Sequence, residues 1–152
     1  MRLFCIPYAG GSASIYLGWR VPLADIAEVI PIELAGRGRR LKDPYYNSFD
    51  ETVQEVCKTI LSQVGSEPYA LFGHSMGCMI VYEVIHRLLA KGSSTPVVTF
   101  LSGRSAPHRR KERETPIHLL PDDEFRDVIM DLGGTPVTVF EHKEMYDISF
   151  LY

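Results

Sequence analysis

Five residues, Gly73-His74-Ser75-Met76-Gly77, stand between two apolar runs, Tyr69-Ala70-Leu71-Phe72 and Met79-Ile80-Val81. That arrangement reads as a strand, a turn too sharp for bulky neighbours, and a helix, with a serine at the apex. The flanking glycines are required because such a turn crowds the backbone. The gain is a hydroxyl held clear of the sheet at the positive end of a helix dipole.

The rest of the chain alternates in the same manner. Arg2 to Pro7 reads as a strand, followed by the small-residue loop Ala9-Gly10-Gly11-Ser12-Ala13 and a helix from about Ser14 to Ala24. Glu28 to Leu34 is a second strand, weakened by Pro31, and Ala35 to Asn47 is a loop rich in glycine and arginine. Ser48 and Glu51 form a capping-box pattern. Val53, Val56, Cys57, Ile60, Leu61 and Val64 then recur on one face of a 3.6-residue period, and Gly65 is placed to end that helix. Met76 to Ala90 is apolar nearly all round, as a buried central helix should be, and Pro96 to Leu101 is a fourth strand. Short, continuous apolar strands alternating with helices predict a parallel sheet covered on both faces.

The pattern changes after Gly103. Residues 103–114 are polar and basic. Asp122 to Leu132 predicts an amphipathic helix, stopped by Gly133-Gly134-Thr135-Pro136, and Val137 to Phe140 is the one further strand-like run.

Composition narrows the classes. The chain has 152 residues, of which 45% are hydrophobic, and a net charge of -3, enough for one core and too acidic for a nucleic-acid footprint. No apolar stretch has the length that spans a bilayer, and the opening residues, interrupted by Pro7, are too short for a signal peptide. Cys5, Cys57 and Cys78 are odd in number and widely spaced, which fits reduced cytoplasmic thiols and neither a disulfide framework nor a zinc site. No cofactor or metal is called for.

A serine so placed is a candidate nucleophile, and its chemistry needs an oxyanion site. The backbone N–H of Met76 is one expected donor; the other comes from the loop after an earlier central strand, and Ala9 is the choice there. Arg37, Arg39, Arg40 and Lys42 in one loop, and His108, Arg109, Arg110, Lys111 and Arg113 in another, are candidates for docking a phosphate or an acidic partner. The competing expectation is solvated loops with ion pairs to Glu33, Asp43, Glu112 and Glu114. Trp19 and the Tyr45-Tyr46 pair are candidates for an acyl pocket, against a plain packing role.

The chain resembles the type II thioesterases, the discrete editing hydrolases of nonribosomal peptide and polyketide synthesis. The residues that carry the resemblance are Phe4 to Ser12, Glu33-Leu34-Ala35-Gly36-Arg37-Gly38, Gly73 to Gly77 and Ser102-Gly103-Arg104-Ser105-Ala106-Pro107. Leu120 to Phe125 and Leu132 to Pro136 are similar to the family's lid. The resemblance implies an α/β-hydrolase fold: a doubly wound, mostly parallel sheet with the start of a helical lid, in one partial domain over residues 1–152 whose lid begins near residue 117. It also implies hydrolysis of acyl groups held as phosphopantetheine thioesters on a carrier protein, with Ser75 as nucleophile and the amides of Ala9 and Met76 as oxyanion hole.

The triad order in this fold is serine, acid, histidine. The family's acid and histidine follow strands later than any read here, so the chain is expected to lack both and to be C-terminally truncated. His74, His86, His108, His118 and His142 read as structural or solvated, His108 being the least implausible base. The alternatives are another esterase or acyltransferase on this fold, and a non-catalytic remnant that binds carrier protein or acyl groups.

Overall fold

The computed structural model describes residues 1–65, 67–106, 117–131, 133 and 137–141. Four strands form one sheet: β1 (Arg2–Ile6), β2 (Glu28–Pro31), β3 (Tyr69–His74) and β4 (Val98–Ser102). Every pairing is parallel, and the spatial order is β2-β1-β3-β4. Two helices connect them, α1 (Phe49–Val64) between β2 and β3 and α2 (Met76–Ala90) between β3 and β4.

Connection handedness decides which face each crossover covers. From β1 the chain steps outward to β2, then returns across β1 to β3 and continues to β4. Right-handed crossovers running in opposite directions must lie on opposite faces. Accordingly α1 and α2 pack together on one face, over Phe4, Ile6, Tyr69 and Leu71. The β1–β2 connection covers the other face, where Leu3, Cys5, Val29 and Ala70 meet Tyr16 and Ala27. The two sets alternate along each strand, as the pleat demands.

The β1–β2 connection departs from the expected helix over residues 14–24. Ala13–Trp19 is a 3-10 helix followed by turns. A 3-10 helix stacks residues three apart. Here that places Ala13, Tyr16 and Trp19 in one row toward the sheet, with Tyr16 and Trp19 rings 5.1 Å apart and Trp19 4.8 Å from Phe72. Pro22 disfavours helical backbone at Val21 and prevents continuation.

Other boundaries follow local signals. Ser48 Oγ accepts from Glu51 N at 3.1 Å, while the Glu51 carboxylate accepts from Asn47 N at 2.8 Å, one residue before the expected reciprocal partner. β2 ends at Pro31, which lacks an N–H and is tolerated because this strand is an edge. β4, at the other edge, leaves Phe100 and Leu101 about half exposed.

The chain divides into two compact units, Met1–Arg104 and Ser105–Tyr152. In the second, α3 (Asp122–Asp131) forms where its amphipathic period predicts. Val137–Glu141 is a short helix, α4, and not the strand its β-branched run implies. Strand propensity reflects fit within a sheet, and the described residues of this unit hold no strand to pair with. The Arg126 guanidinium lies 5.4 Å from the centre of the Phe140 ring instead.

Candidate active site

β3 ends in His74, α2 begins at Met76, and Ser75 alone makes the turn. Its backbone angles are φ 51° and ψ -109°, and among the described residues it is the one non-glycine with positive φ. That conformation costs a residue bearing a Cβ on the order of 1–3 kcal/mol, so the surroundings must enforce it. They do so through backbone contacts. A Cβ on Gly73 would overlap the Gly77 carbonyl, and one on Gly77 would overlap the Ile6 carbonyl oxygen. Ser75 N donates to Ser102 O at 2.8 Å, tying the turn to the end of β4. The buried Cys78 thiol lies 3.1 Å from both Gly73 O and Ser102 O, which share its one S–H.

Ser75 is half-buried, and its hydroxyl has no hydrogen-bond partner among the described residues. A serine at a helix N-cap ordinarily bonds back to the helix; here the strained turn directs it elsewhere.

The second element is the loop after β1. Gly11 N donates to Tyr8 O at 3.0 Å, closing a turn with Ala9 and Gly10 at its centre and Gly10 at φ 76°. Glycine at that place is what a type II turn requires. Ala9 is exposed, and neither its N–H nor that of Met76 is bonded among the described residues. β1 and β3 are hydrogen-bonded neighbours, with Ile6 opposite Gly73. The loop and the turn therefore leave the carboxyl ends of adjacent strands. The strand order reverses between these two, which is where open α/β sheets bind ligands. A shallow depression bounded by Arg2, Asp25, Glu28 and Glu67 lies at the opposite, amino-terminal end of the sheet.

Two side chains hold the Ala9 loop. Tyr16 OH donates to Ile6 O at 3.0 Å. The buried Glu33 accepts from Ala13 N at 2.7 Å with one carboxylate oxygen and from Arg39 N at 3.2 Å with the other. Gly38 leaves room for that carboxylate, since a Cβ there would overlap it. Sequence reasoning treats Glu33 as a surface ion-pair partner; the structure makes it a buried acceptor of two backbone amides. One signal is legible in retrospect: a lone acid inside the apolar run Ile30-Pro31-Ile32-Glu33-Leu34-Ala35.

Two of the four cations in the first basic cluster are consumed internally. Arg37 is buried, with its guanidinium bonded to Gly36 O at 3.2 Å and Tyr45 OH at 3.3 Å. Arg40 pairs with Asp43 at 2.7 Å and with Glu55. The Arg40 hydrogen bond holds the Glu55 carboxyl below its usual pKa, and Tyr46 OH donates to the same carboxylate at 2.9 Å. Arg39 and Lys42 are the exposed cations of this loop. Trp19, Tyr45 and Tyr46 are accounted for by packing and these bonds.

No described histidine side chain serves Ser75. His74 Nδ1 lies 3.2 Å from Ser102 Oγ, and its ring meets Tyr8 edge-on and faces Gly103. His86 is exposed on α2, its ring 4.4 Å from that of Tyr82. His108, His142, the second basic cluster and the Gly134-Thr135-Pro136 stop lie outside the described residues, as does the side chain of His118. Cys5, Cys57 and Cys78 are buried free thiols, and no helix among the described residues is long and apolar enough to cross a membrane.

Comparison with known proteins gives a consistent result. The thioesterase domain model matches residues 1–149. The linear gramicidin dehydrogenase LgrE of Brevibacillus parabrevis is 38% identical, over 96% of this chain and 55% of its own. The gramicidin S biosynthesis protein GrsT of Aneurinibacillus migulanus is 37% identical, over 97% of this chain and 57% of its own. Among solved structures, the thioesterase RedJ from the prodiginine biosynthetic pathway of Streptomyces coelicolor superposes with a TM-score of 0.84. It is 37% identical, with 99% of this chain and 59% of that one covered. The chain thus spans a little over half the length of these relatives.

Proposed function

The chain belongs to the thioesterase family, and from that premise we propose that it carries the nucleophile and oxyanion hole of a serine thioesterase site. Ser75 is the nucleophile, and the amides of Ala9 and Met76 receive the oxyanion. The substrate is an acyl group held as a phosphopantetheine thioester on a carrier protein of nonribosomal peptide or polyketide synthesis, and the compartment is the cytoplasm. The supporting observation is the strained Ser75 turn with its unpartnered hydroxyl. It leaves the strand next to the one whose loop offers the unbonded Ala9 amide. Sequence kinship with GrsT and RedJ, named for gramicidin S and prodiginine biosynthesis, supports the carrier-bound substrate.

The chemistry is two-step acyl transfer. Ser75 Oγ attacks the thioester carbonyl while a base takes its proton, and the two amides stabilise the tetrahedral oxyanion. The pantetheine thiol leaves, and water then cleaves the acyl-serine. No histidine or acid among the described side chains is assigned to the base and its orienting partner.

The LgrE name raises hydride transfer as a second reading. The loop after β1 does not favour it. A dinucleotide site needs G-x-G-x-x-G opening an α-helix whose N-terminus holds the pyrophosphate. Here Gly10-Gly11-Ser12 opens a 3-10 helix with Ser12 as its cap.

Intact-mass analysis of the full chain treated with a fluorophosphonate tests the nucleophile: one adduct, mapped to Ser75 and absent in Ser75→Ala, is expected. No adduct in folded protein, or one on another residue, overturns the reading. Acyl release from a loaded carrier protein exceeding that from a simple soluble ester supports the substrate class; the reverse order favours a general esterase.

A further inference from the structure

A buried carboxylate is costly unless its oxygens are satisfied. Glu33 meets this requirement without a cation. One oxygen takes the N–H of Ala13 and the other that of Arg39, and the Arg40 guanidinium bonds its main-chain carbonyl at 3.3 Å. The two amides lie on different loops. Ala13 follows directly on Gly10-Gly11-Ser12, and Arg39 lies in the 3-10 turn Gly38–Arg40 after β2. Glu33 therefore clamps the far end of the Ala9 loop to the end of β2, while Tyr16 clamps the same segment to β1.

The near end of that loop leaves β1 through the fully buried Pro7, and the Tyr8 ring meets His74 edge-on. Tyr8 and Ala9 are exposed, and their turn is closed by one backbone bond. With the near end held by β1, the direction of the Ala9 N–H is set by where the far end, residues 12–13, is fixed. We infer that Glu33 is a positioning residue for the oxyanion hole: through Ala13 it sets where the Ala9 amide points, without touching substrate. The inference rests on the proposed role of Ala9 and deepens it.

Glutamine at this position preserves size but carries one acceptor oxygen and one NH2, so either Ala13 N–H or Arg39 N–H faces a donor. Aspartate keeps two acceptors but is one methylene too short to span both loops. The loop shifts in each case, and misplacement by about 1 Å costs on the order of a hundredfold in rate.

The test is the kinetics of fluorophosphonate inactivation of the full chain, resolved into the limiting rate kinact and the half-saturating concentration KI, with a thermal melt of each protein. For Glu33→Gln, kinact falls by roughly ten- to a hundredfold with KI unchanged; Glu33→Asp falls less. A merely structural role would lower the melting temperature and leave kinact of the folded fraction intact. Wild-type kinact in both folded variants overturns the positioning role and leaves the nucleophile reading standing. Failure of wild-type protein to label at Ser75 overturns both. If neither variant folds, Glu33 is a stability residue and the inference is wrong.

Discussion

The Ser75 turn and the Ala9 loop leave adjacent strands and are proposed to serve one reaction, yet they are held in different ways. The turn is held by main chain against main chain: Gly73 against Gly77, Gly77 against Ile6, Ser75 N on Ser102 O. The loop is held by side chains reaching in from elsewhere, Tyr16 from the following 3-10 helix and Glu33 from beyond β2. Backbone contact leaves no room for any side chain and fixes the serine within narrow limits. Side-chain clamps can be altered one atom at a time, so the donor's position is the tunable half of the site.

The largest effect should come from breaking the rigid half. Gly77→Ala sets a Cβ against the Ile6 carbonyl, which cannot swing aside, and a loss of more than about 3 kcal/mol is expected in urea unfolding. A loss under about 1 kcal/mol would show the turn to be as adaptable as the loop. Alkaline pH should weaken both halves together, because it acts on the strands that carry them. Burial pushes the Cys5 thiol on β1 up from 9.0 to about 12 and the Tyr69 phenol on β3 up from 10.0 to about 12. An acid whose pKa is raised by folding contributes its full stability below its unfolded pKa and loses it as pH rises through the folded value. The urea midpoint should therefore decline from about pH 9 toward pH 12, and a flat profile would contradict that burial.

Smaller changes probe the tunable half. Tyr16→Phe leaves the buried Ile6 carbonyl without this donor and should cost about 1–3 kcal/mol, read from the same unfolding curves. Ser48→Ala removes the α1 cap, remote from both loops, and should cost about 1 kcal/mol. It should leave fluorophosphonate kinact unchanged, which makes it the control for the Glu33 variants.

What could be read in advance follows the same division. The α2 limits, Met76 to Ala90, and the Ser48 cap coincide with expectation because their signals lie within a few contiguous residues. The helix expected from Ser14 to Ala24 failed to appear because the row Ala13, Tyr16, Trp19 suits a three-residue period, and only the sheet beneath reveals that the row faces it. The Val137 run became a helix, no strand lying beside it among the described residues. Arg37 and Arg40 of the first basic cluster are taken up internally because Tyr45 packs on one and Asp43 and Glu55 pair with the other, while Arg39 and Lys42 stay exposed.

Sequence alone determined that a serine sits on a glycine-flanked bend between a strand and a helix, since steric crowding of adjacent residues leaves few other solutions. Tertiary structure alone decided that β1 and β3 would be neighbours, bringing Ala9 to the same end of the sheet as Ser75. It also decided that Glu33, twenty residues from Ala13, would be buried with both oxygens occupied. Contacts between distant residues depend on which strands pair and which face each crossover takes, and no local pattern encodes either.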